Sequence, residues 1–275
     1  MTYLLQDKDT GFKMNIKAMF FDLDGTLLSG GKMPASAKEA LRYAREKGVM
    51  LFVATGRHKN EFEHMEWMRD SFFDGFVTVN GGYCYTKKQI IHKTPIHKDT
   101  VRMVVDYILQ NPFYCIFCEE HESYTTMAND NAKMLQLSLG LTIPQICNPT
   151  RAINAEIFQM VPFDVDMDDP FLQQLPNCTV TSWSEGCFDI APSGVNKWTG
   201  ILPMLKHFGI SPHEVVTFGD NQNDMEMLAG AGYSVAMGNG LDAAKKCATY
   251  VTSHVDDDGI LKAIKHLLGA CNAVK

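Results

Sequence analysis

The sequence predicts an α/β protein: a doubly wound parallel sheet as core, with an α+β unit inserted into it as a cap. Three observations predict this. Apolar runs without alternation occur at residues 18–21, 49–54, 76–79 and 215–218, the pattern of parallel strands covered on both faces. Stretches of helical pattern separate them, as the crossovers of a parallel sheet require. Between residues 83 and 189 the texture changes to short mixed segments, and the core pattern resumes at Val195-Asn196-Lys197.

Taken in order, the elements support that division. Residues 1–13 lack the apolar region of a signal peptide and read as an N-terminal extension, with Met14 an alternative start. The run ending at Phe21 is the first strand. Pro34-Ala35-Ser36 opens a helix with proline near its first turn, Ala37, Leu41 and Ala44 give it an apolar face, and Gly48 ends it. Residues 49–54 form the second strand, and a helix is expected to follow it through Met68. Residues 76–79 form a third strand, closing at Asn80-Gly81-Gly82. Strand, helix, strand, helix, strand is a Rossmann-like order, and ligands of such sheets sit beyond the carboxyl ends of the strands.

Residues 83–189 read as the insertion, with strands at 83–85, 90–91, 113–118, 123–126, 156–160, 178–183 and 187–190. Helices are expected at 98–110, 129–139 and 168–175. Hairpins and paired strands suggest an antiparallel sheet, and insertion at a surface loop is tolerated because the ends of the insert lie close together. The core is then residues 14–82 and 190–275. Its second part carries a helix from Lys197 to Phe208, the strand at 215–218, a helix at 224–228, a strand at 233–236, a helix at 241–248, a short strand at Tyr250-Val251 and a last amphipathic helix at 259–268.

Composition sets bounds. The chain has 275 residues, 45% hydrophobic and 21% charged, with a formal net charge of −7 and no basic block. That argues against nucleic acid as main partner. No apolar run approaches the ~18 residues that span a bilayer. Eight cysteines without framework spacing read as reduced thiols of a cytoplasmic protein. Cys115-Ile116-Phe117-Cys118 has redox-motif spacing, but residues three apart on a strand face opposite sides. Monomer and homodimer both stay open.

The chemistry starts at Phe20-Phe21-Asp22-Leu23-Asp24-Gly25-Thr26. Residues two apart on an extended chain point the same way, so Asp22 and Asp24 face one point past a strand end, and Gly25 lets the chain turn. Two such carboxylates repel unless a cation sits between them. Oxygen-only ligands at the carboxyl end of a strand suit Mg²⁺. Thr55 and Gly56, at the end of the second strand, offer a hydroxyl and a close-approaching N–H to a phosphate oxygen. The polar run Gly219-Asp220-Asn221-Gln222-Asn223-Asp224 follows another buried strand.

These motifs, with Ala54-Thr55-Gly56-Arg57, Asn80-Gly81-Gly82 and Lys197, resemble the haloacid dehalogenase-like superfamily, and more narrowly its Cof-type phosphatase branch, over residues 14–268. The resemblance implies that Asp22 is the nucleophile and forms an aspartyl-phosphate, and that Asp24 is general acid and then base. It implies a phosphate cradle of Asp22, Leu23, Thr55, Gly56, Lys197 and Asn223. It implies Mg²⁺ held by Asp22, Asp220 and the main-chain carbonyl of Asp24, with Asp224 orienting the ligands. Lys197 would bridge phosphate and nucleophile as a point charge.

Arg57 and Asn80 are candidates either for substrate contact or for bracing the strand ends, with bracing favoured for Asn80. Thr26 is expected to bond nearby backbone. His58 reads as a solvated helix residue rather than part of the site entrance, and Trp183-Ser184-Glu185-Gly186-Cys187 as a hairpin loop that is a candidate for substrate contact. The function implied is Mg²⁺-dependent hydrolysis of small phosphorylated metabolites of the sugar phosphate, pyridoxal phosphate or flavin mononucleotide class. The alternatives are a phosphomutase and a catalytically silent binding module.

Overall fold

The computed structural model describes residues 4–6, 13–70, 72–138, 140–166, 169–184 and 187–269. Strands β1 (Leu4–Gln6) and β2 (Lys13–Asn15) pair antiparallel. The rest of the expected N-terminal extension, residues 1–3 and 7–12, lies outside the described residues.

The next strands are β3 (Ala18–Phe21), β4 (Met50–Ala54), β5 (Gly75–Thr78), β6 (Tyr83–Tyr85) and β7 (Ile90–Lys93). Helix α1 (Ala35–Glu46) connects β3 to β4. Late in the chain come β14 (Val215–Gly219), β15 (Tyr233–Ala236) and β16 (Tyr250–Val251). These eight strands form one sheet in the order β16-β15-β14-β3-β4-β5-β6-β7. From β16 to β5 all pairs are parallel; β6 and β7 run antiparallel.

The strands expected at 83–85 and 90–91 as the start of the insertion are therefore the edge of the core sheet. The reason is connection length. One tight turn at Val79–Gly81 separates β5 from β6, and no crossover helix fits in it, so the strands can pair only antiparallel.

Alternate residues of the central strands feed two opposite cores. Met19, Phe21, Leu51, Val53, Val216 and Phe218 pack with α1 and α8 (Gly259–Gly269) on one face. Ala18, Phe20, Phe52, Ala54 and Val215 pack with α5 (Lys197–Phe208) and α6 (Met225–Gly230) on the other. Phe20 stacks on Phe52 and Phe21 on Phe218, each at 4.5 Å between ring centroids. Double-sided burial accounts for the unalternating apolar runs.

A second, six-stranded sheet holds β8 (Cys115–Cys118), β9 (Ser123–Thr125), β10 (Gln145–Ile146), β11 (Gln159–Pro162), β12 (Cys178–Ser184) and β13 (Cys187–Pro192). Its order is β10-β9-β8-β11-β13-β12, antiparallel except for β9-β10. Helix α2 (Lys98–Gln110) covers one face through Val101, Val104, Val105 and Ile108. The other face, with Tyr114, Ile116, Val161 and Phe163, packs against Val79 and Tyr83 of the core. Helix α3 (Asp130–Ser138) lies on this face through Ala132, the short α4 (Pro170–Gln173) on the α2 face through Leu172, and α7 (Asp242–Cys247) belongs to the core. Cys115 and Cys118 enter different apolar clusters on opposite faces of β8. Burial pushes both thiols up, so they are packing groups rather than a redox pair.

The helix expected at 57–68 does not form. Two 3₁₀ turns, Lys59–Glu61 and Glu66–Asp70, take its place. The Glu61 carboxylate accepts from the His58 N–H at 3.0 Å, closing the first turn on itself. Phe62, Trp67, Phe73 and Phe76 form one aromatic pile. A pile demands burial all round, which one helical stripe does not supply.

Candidate active site

The site forms where β3 and β14, adjacent and parallel, both end. Asp22 follows β3 directly, and its N–H donates to the Phe218 carbonyl at 3.0 Å. Asp220 follows β14. Lys197 enters from the first turn of α5, whose start is set by Asn196, its side chain accepting from the Thr199 N–H.

Lys197 is fully buried. Its Nζ donates to Asp22 Oδ1 and to Asp224 Oδ1, both at 2.6 Å. Asp224 is fully committed: its Oδ2 accepts from the N–H groups of Asp220 at 2.9 Å and Asn221 at 3.0 Å. It thus fixes the loop that carries Asp220. Thr26 donates to Asp220 Oδ1 at 2.8 Å, across the site rather than to nearby backbone as expected. One oxygen from each of Asp22, Asp220 and Asp224 lies within 4.8 Å of the others.

Gly25 makes the close approach of the two loops possible. Its φ is +83°, and a Cβ there would collide with the Asp220 carboxylate. Asn239, which the motifs did not mark, donates to the Gly25 carbonyl at 2.8 Å and accepts from the Val255 N–H at 2.9 Å, holding the turn from behind.

The electrostatics follow from three acids around one ammonium. Burial holds the Asp22 carboxyl well above the usual range; Lys197 opposes this, while Asp224, Asp220 and Asp24 add to it. Burial and the Asp224 charge push Asp220 up to about 6. For Lys197 burial works against the charge, but Asp22 and Asp224 outweigh it and hold the ammonium above its ordinary value. Such a set repels itself unless further positive charge is supplied. The donors are all oxygen and suit a hard divalent ion, so the residues present fit a metal.

The Asp24 carboxylate does not join this group. Arg57 holds it in a fork, Nε to Oδ2 at 2.7 Å and Nη2 to Oδ1 at 2.6 Å, so Arg57 braces Asp24. Thr55 is buried, and its hydroxyl accepts from the Arg57 N–H at 3.1 Å. Gly56 lines the open cavity in front of Asp22. Because 3₁₀ turns replace the helix expected after β4, no α-helix N-terminus follows Thr55 and Gly56 directly. Asn80, in a left-handed turn, bridges the two units: it donates to Asp189 Oδ2 at 2.9 Å and accepts from Asn223 Nδ2 at 3.0 Å. Leu23 packs its side chain into the core, so a phosphate contact there falls to its main-chain N–H.

His58 is buried, not solvated. Its Nε2 lies 2.7 Å from the Glu119 carbonyl of the second sheet, and burial lowers its pKa to about 4, so it is neutral. Asn60 donates to the His121 carbonyl at 2.5 Å alongside. This contact between units follows no local periodicity, which is why the sequence left it unread. Asp22, Asp24, Thr55, Gly56, Arg57 and Asn223 share a cavity of about 220 Å³ with residues of the second unit. Glu61, Asp189 and Gln159, which carry no motif, line it too. Strands β12 and β13 pair antiparallel, and Glu185 and Gly186 of the expected 183–187 loop lie outside the described residues.

A parallel sheet with acids and one buried lysine gathered at its strand ends defines a class, and comparison with known proteins names it. The chain belongs to the haloacid dehalogenase-like hydrolases, whose family profile matches residues 19–264. Within them it is a Cof-type phosphatase.

The Bacillus subtilis protein YkrA is 28% identical over 257 residues, covering 92% of this chain and 98% of the other. The Escherichia coli 5-amino-6-(5-phospho-D-ribitylamino)uracil phosphatase YbjI is 27% identical over 273 residues, covering 93% and 97%. The solved structure of the HAD subclass IIB sugar phosphatase BT4131 superposes with a TM-score of 0.84 at 36% identity, covering 92% of this chain and 99% of that one. Among the described residues no helix is long and apolar enough to cross a membrane.

Proposed function

We propose that this chain is a Mg²⁺-dependent phosphomonoesterase for small phosphorylated metabolites, with Asp22 as nucleophile. The observation that carries the reading is the buried Lys197 ammonium at 2.6 Å from Asp22, with Asp220 beside it. Asp22 and Asp220 would hold the metal, with Asp224 fixing the loop of Asp220 and the Asp24 carbonyl completing the set. When bound, the ion supplies positive charge that lets a phosphate dianion approach a carboxylate.

The chain's own residues carry the rest. An Asp22 oxygen attacks phosphorus, forming a P–O bond to the carboxylate as the bond to the leaving oxygen breaks. Lys197 orients Asp22 and neutralises charge on the transferring group. Asp24, with one oxygen released from Arg57 and protonated, gives that proton to the leaving oxygen. It then takes a proton from a water, which attacks the same phosphorus and releases phosphate and Asp22. Thr55, Gly56 and the Leu23 N–H cradle the phosphoryl oxygens, and Asn223 contributes its amide. The second unit, which follows β7 and runs through β13, acts as the cap that closes the cavity over the leaving group and excludes water.

Purified protein with Mg²⁺ tests this against a panel of sugar phosphates, pyridoxal phosphate and flavin mononucleotide. Phosphate release that disappears on chelation and in Asp22→Asn, while the variant stays folded, is expected. Turnover that survives either change would remove Asp22 and the metal from these roles.

A further inference from the structure

The second unit lines the cavity in front of Asp22 mainly with apolar side chains: Ile116, Cys118, Leu135, Leu141, Val161 and Phe163. Gln159 stands among them. It pairs with Cys118 across β8 and β11. Residues two apart on a strand share a face, so Gln159 projects to the cavity side with Val161, while Met160 enters the core beneath α2. Gln159 is only 3% exposed. Among the described residues nothing bonds its side-chain amide, which opens onto the cavity. Gln136, the other glutamine of the lining, already accepts from the Tyr114 hydroxyl at 3.3 Å.

Buried side-chain amides are normally hydrogen-bonded, and one left over in an apolar surround costs stability. Water can meet this amide while the cavity is open, but closure over a leaving group expels water. The bonds must then come from the leaving group. A glutamine side chain presents an acceptor and a donor side by side. The edge that matches it is a donor beside an acceptor, as in a carboxamide, a lactam or a cyclic imide. A polyol matches poorly, since each hydroxyl turned toward the apolar side chains would lose water without gaining a partner.

We propose that Gln159 is a specificity-determining residue: its side-chain amide pairs with a donor–acceptor edge on a leaving group whose body is otherwise apolar. This narrows the substrate reading to one functional group and one residue, and it rests on Asp22 as the group that attacks the phosphoryl end.

The test uses aryl phosphates that differ in one group: 4-carbamoylphenyl phosphate against 4-acetylphenyl phosphate, and the same pair substituted at the 3-position. Amino and methyl are close in size, neither substituent is charged and both carbonyls accept, so the donor alone differs. Full-length protein with Mg²⁺ is assayed for kcat/KM on each. The carbamoyl member is expected to be preferred by at least about tenfold at one ring position or both. Gln159→Met, which keeps the side chain's length, and Gln159→Leu are each expected to shrink that ratio at least about fivefold. Both variants are expected to melt at or above the wild-type temperature, because the amide they replace has no protein partner to lose. Equal use of both members by the wild type at both ring positions, or a ratio unmoved in the variants, would overturn the proposal. So would variants that melt well below the wild type, which would make Gln159 a packing residue. Calorimetric binding of the matching benzylphosphonates, which are not hydrolysed, ranks the same substituents with or without turnover. Carbamoyl preference there without phosphate release from the aryl phosphates would count against the Asp22 assignment alone, and no preference there would count against Gln159.

Discussion

Lys197 and Asp22 stand 175 positions apart in the chain and meet at 2.6 Å in its interior. The ammonium also touches Asp224 at 2.6 Å, so one buried cation ties the start of the core to its end. Its helix position does not favour it, since the first turn already carries partial positive charge. The acids hold it there.

Removing that cation leaves buried carboxylates without a partner. Lys197→Met is expected to destabilise the fold by about 3–5 kcal/mol and to reduce kcat at least about a thousandfold. Urea denaturation and phosphate release measure the two effects separately.

Metal binding should follow the acids' titration. Asp220 titrates near 6, above its ordinary 3.8, because of burial and Asp224, and Asp22 is raised as well. A folded-state value above the unfolded one means the metal-free fold holds extra protons between about pH 4 and 6. Its stability from this source is present at low pH and lost as pH rises through 6. Protons and metal compete for the same oxygens. Mg²⁺ should therefore raise Tm strongly at pH 7.5, by about 2.7 kcal/mol of stability at a hundredfold excess over Kd, and little at pH 5. Asp220→Asn should flatten the metal-free pH dependence. Melting curves at both pH values, with and without Mg²⁺, check this.

Gly25→Ala places a methyl group at a φ of +83° against the Asp220 carboxylate. The left-handed backbone costs about 1–2 kcal/mol, and Asp220 must move. Metal affinity is expected to fall at least about tenfold, a larger fractional loss than that in Tm. Calorimetric Mg²⁺ titration beside a thermal melt tests the order.

Arg57 grips Asp24 with two nitrogens. Arg57→Lys keeps the charge but loses the fork, and Arg57→Ala loses both. Misplacing a proton-transfer group by about 1 Å can cost a hundredfold, so kcat should fall about tenfold in the lysine variant and about a hundredfold in the alanine variant. The pH–rate profile should shift with it. Unchanged profiles would show that the grip does not govern Asp24.

Several elements were legible because their signals are local. The unalternating runs at β3, β4 and β14 announced a sheet buried on both faces, and α1 showed its apolar stripe and its terminal glycine. Asp22, Asp220, Asp224 and Lys197 stood at strand or helix ends, where a parallel sheet must converge. The 58–70 region was not legible: its aromatic pile satisfies burial from several directions and has no single period. The edge pair β6 and β7 was misplaced because short mixed strands look alike in either sheet.

From its sequence alone, then, this chain determined an α/β core, the strand ends at which a phosphate site would form and the acids available there. Only the tertiary structure decided which atoms meet: Thr26 with Asp220, Arg57 with Asp24, His58 with Glu119 and Asn80 with Asp189. Periodicity records which face a residue presents to its own sheet. A pairing between units depends on how two separately packed sheets come to rest, and no window of the chain contains both partners.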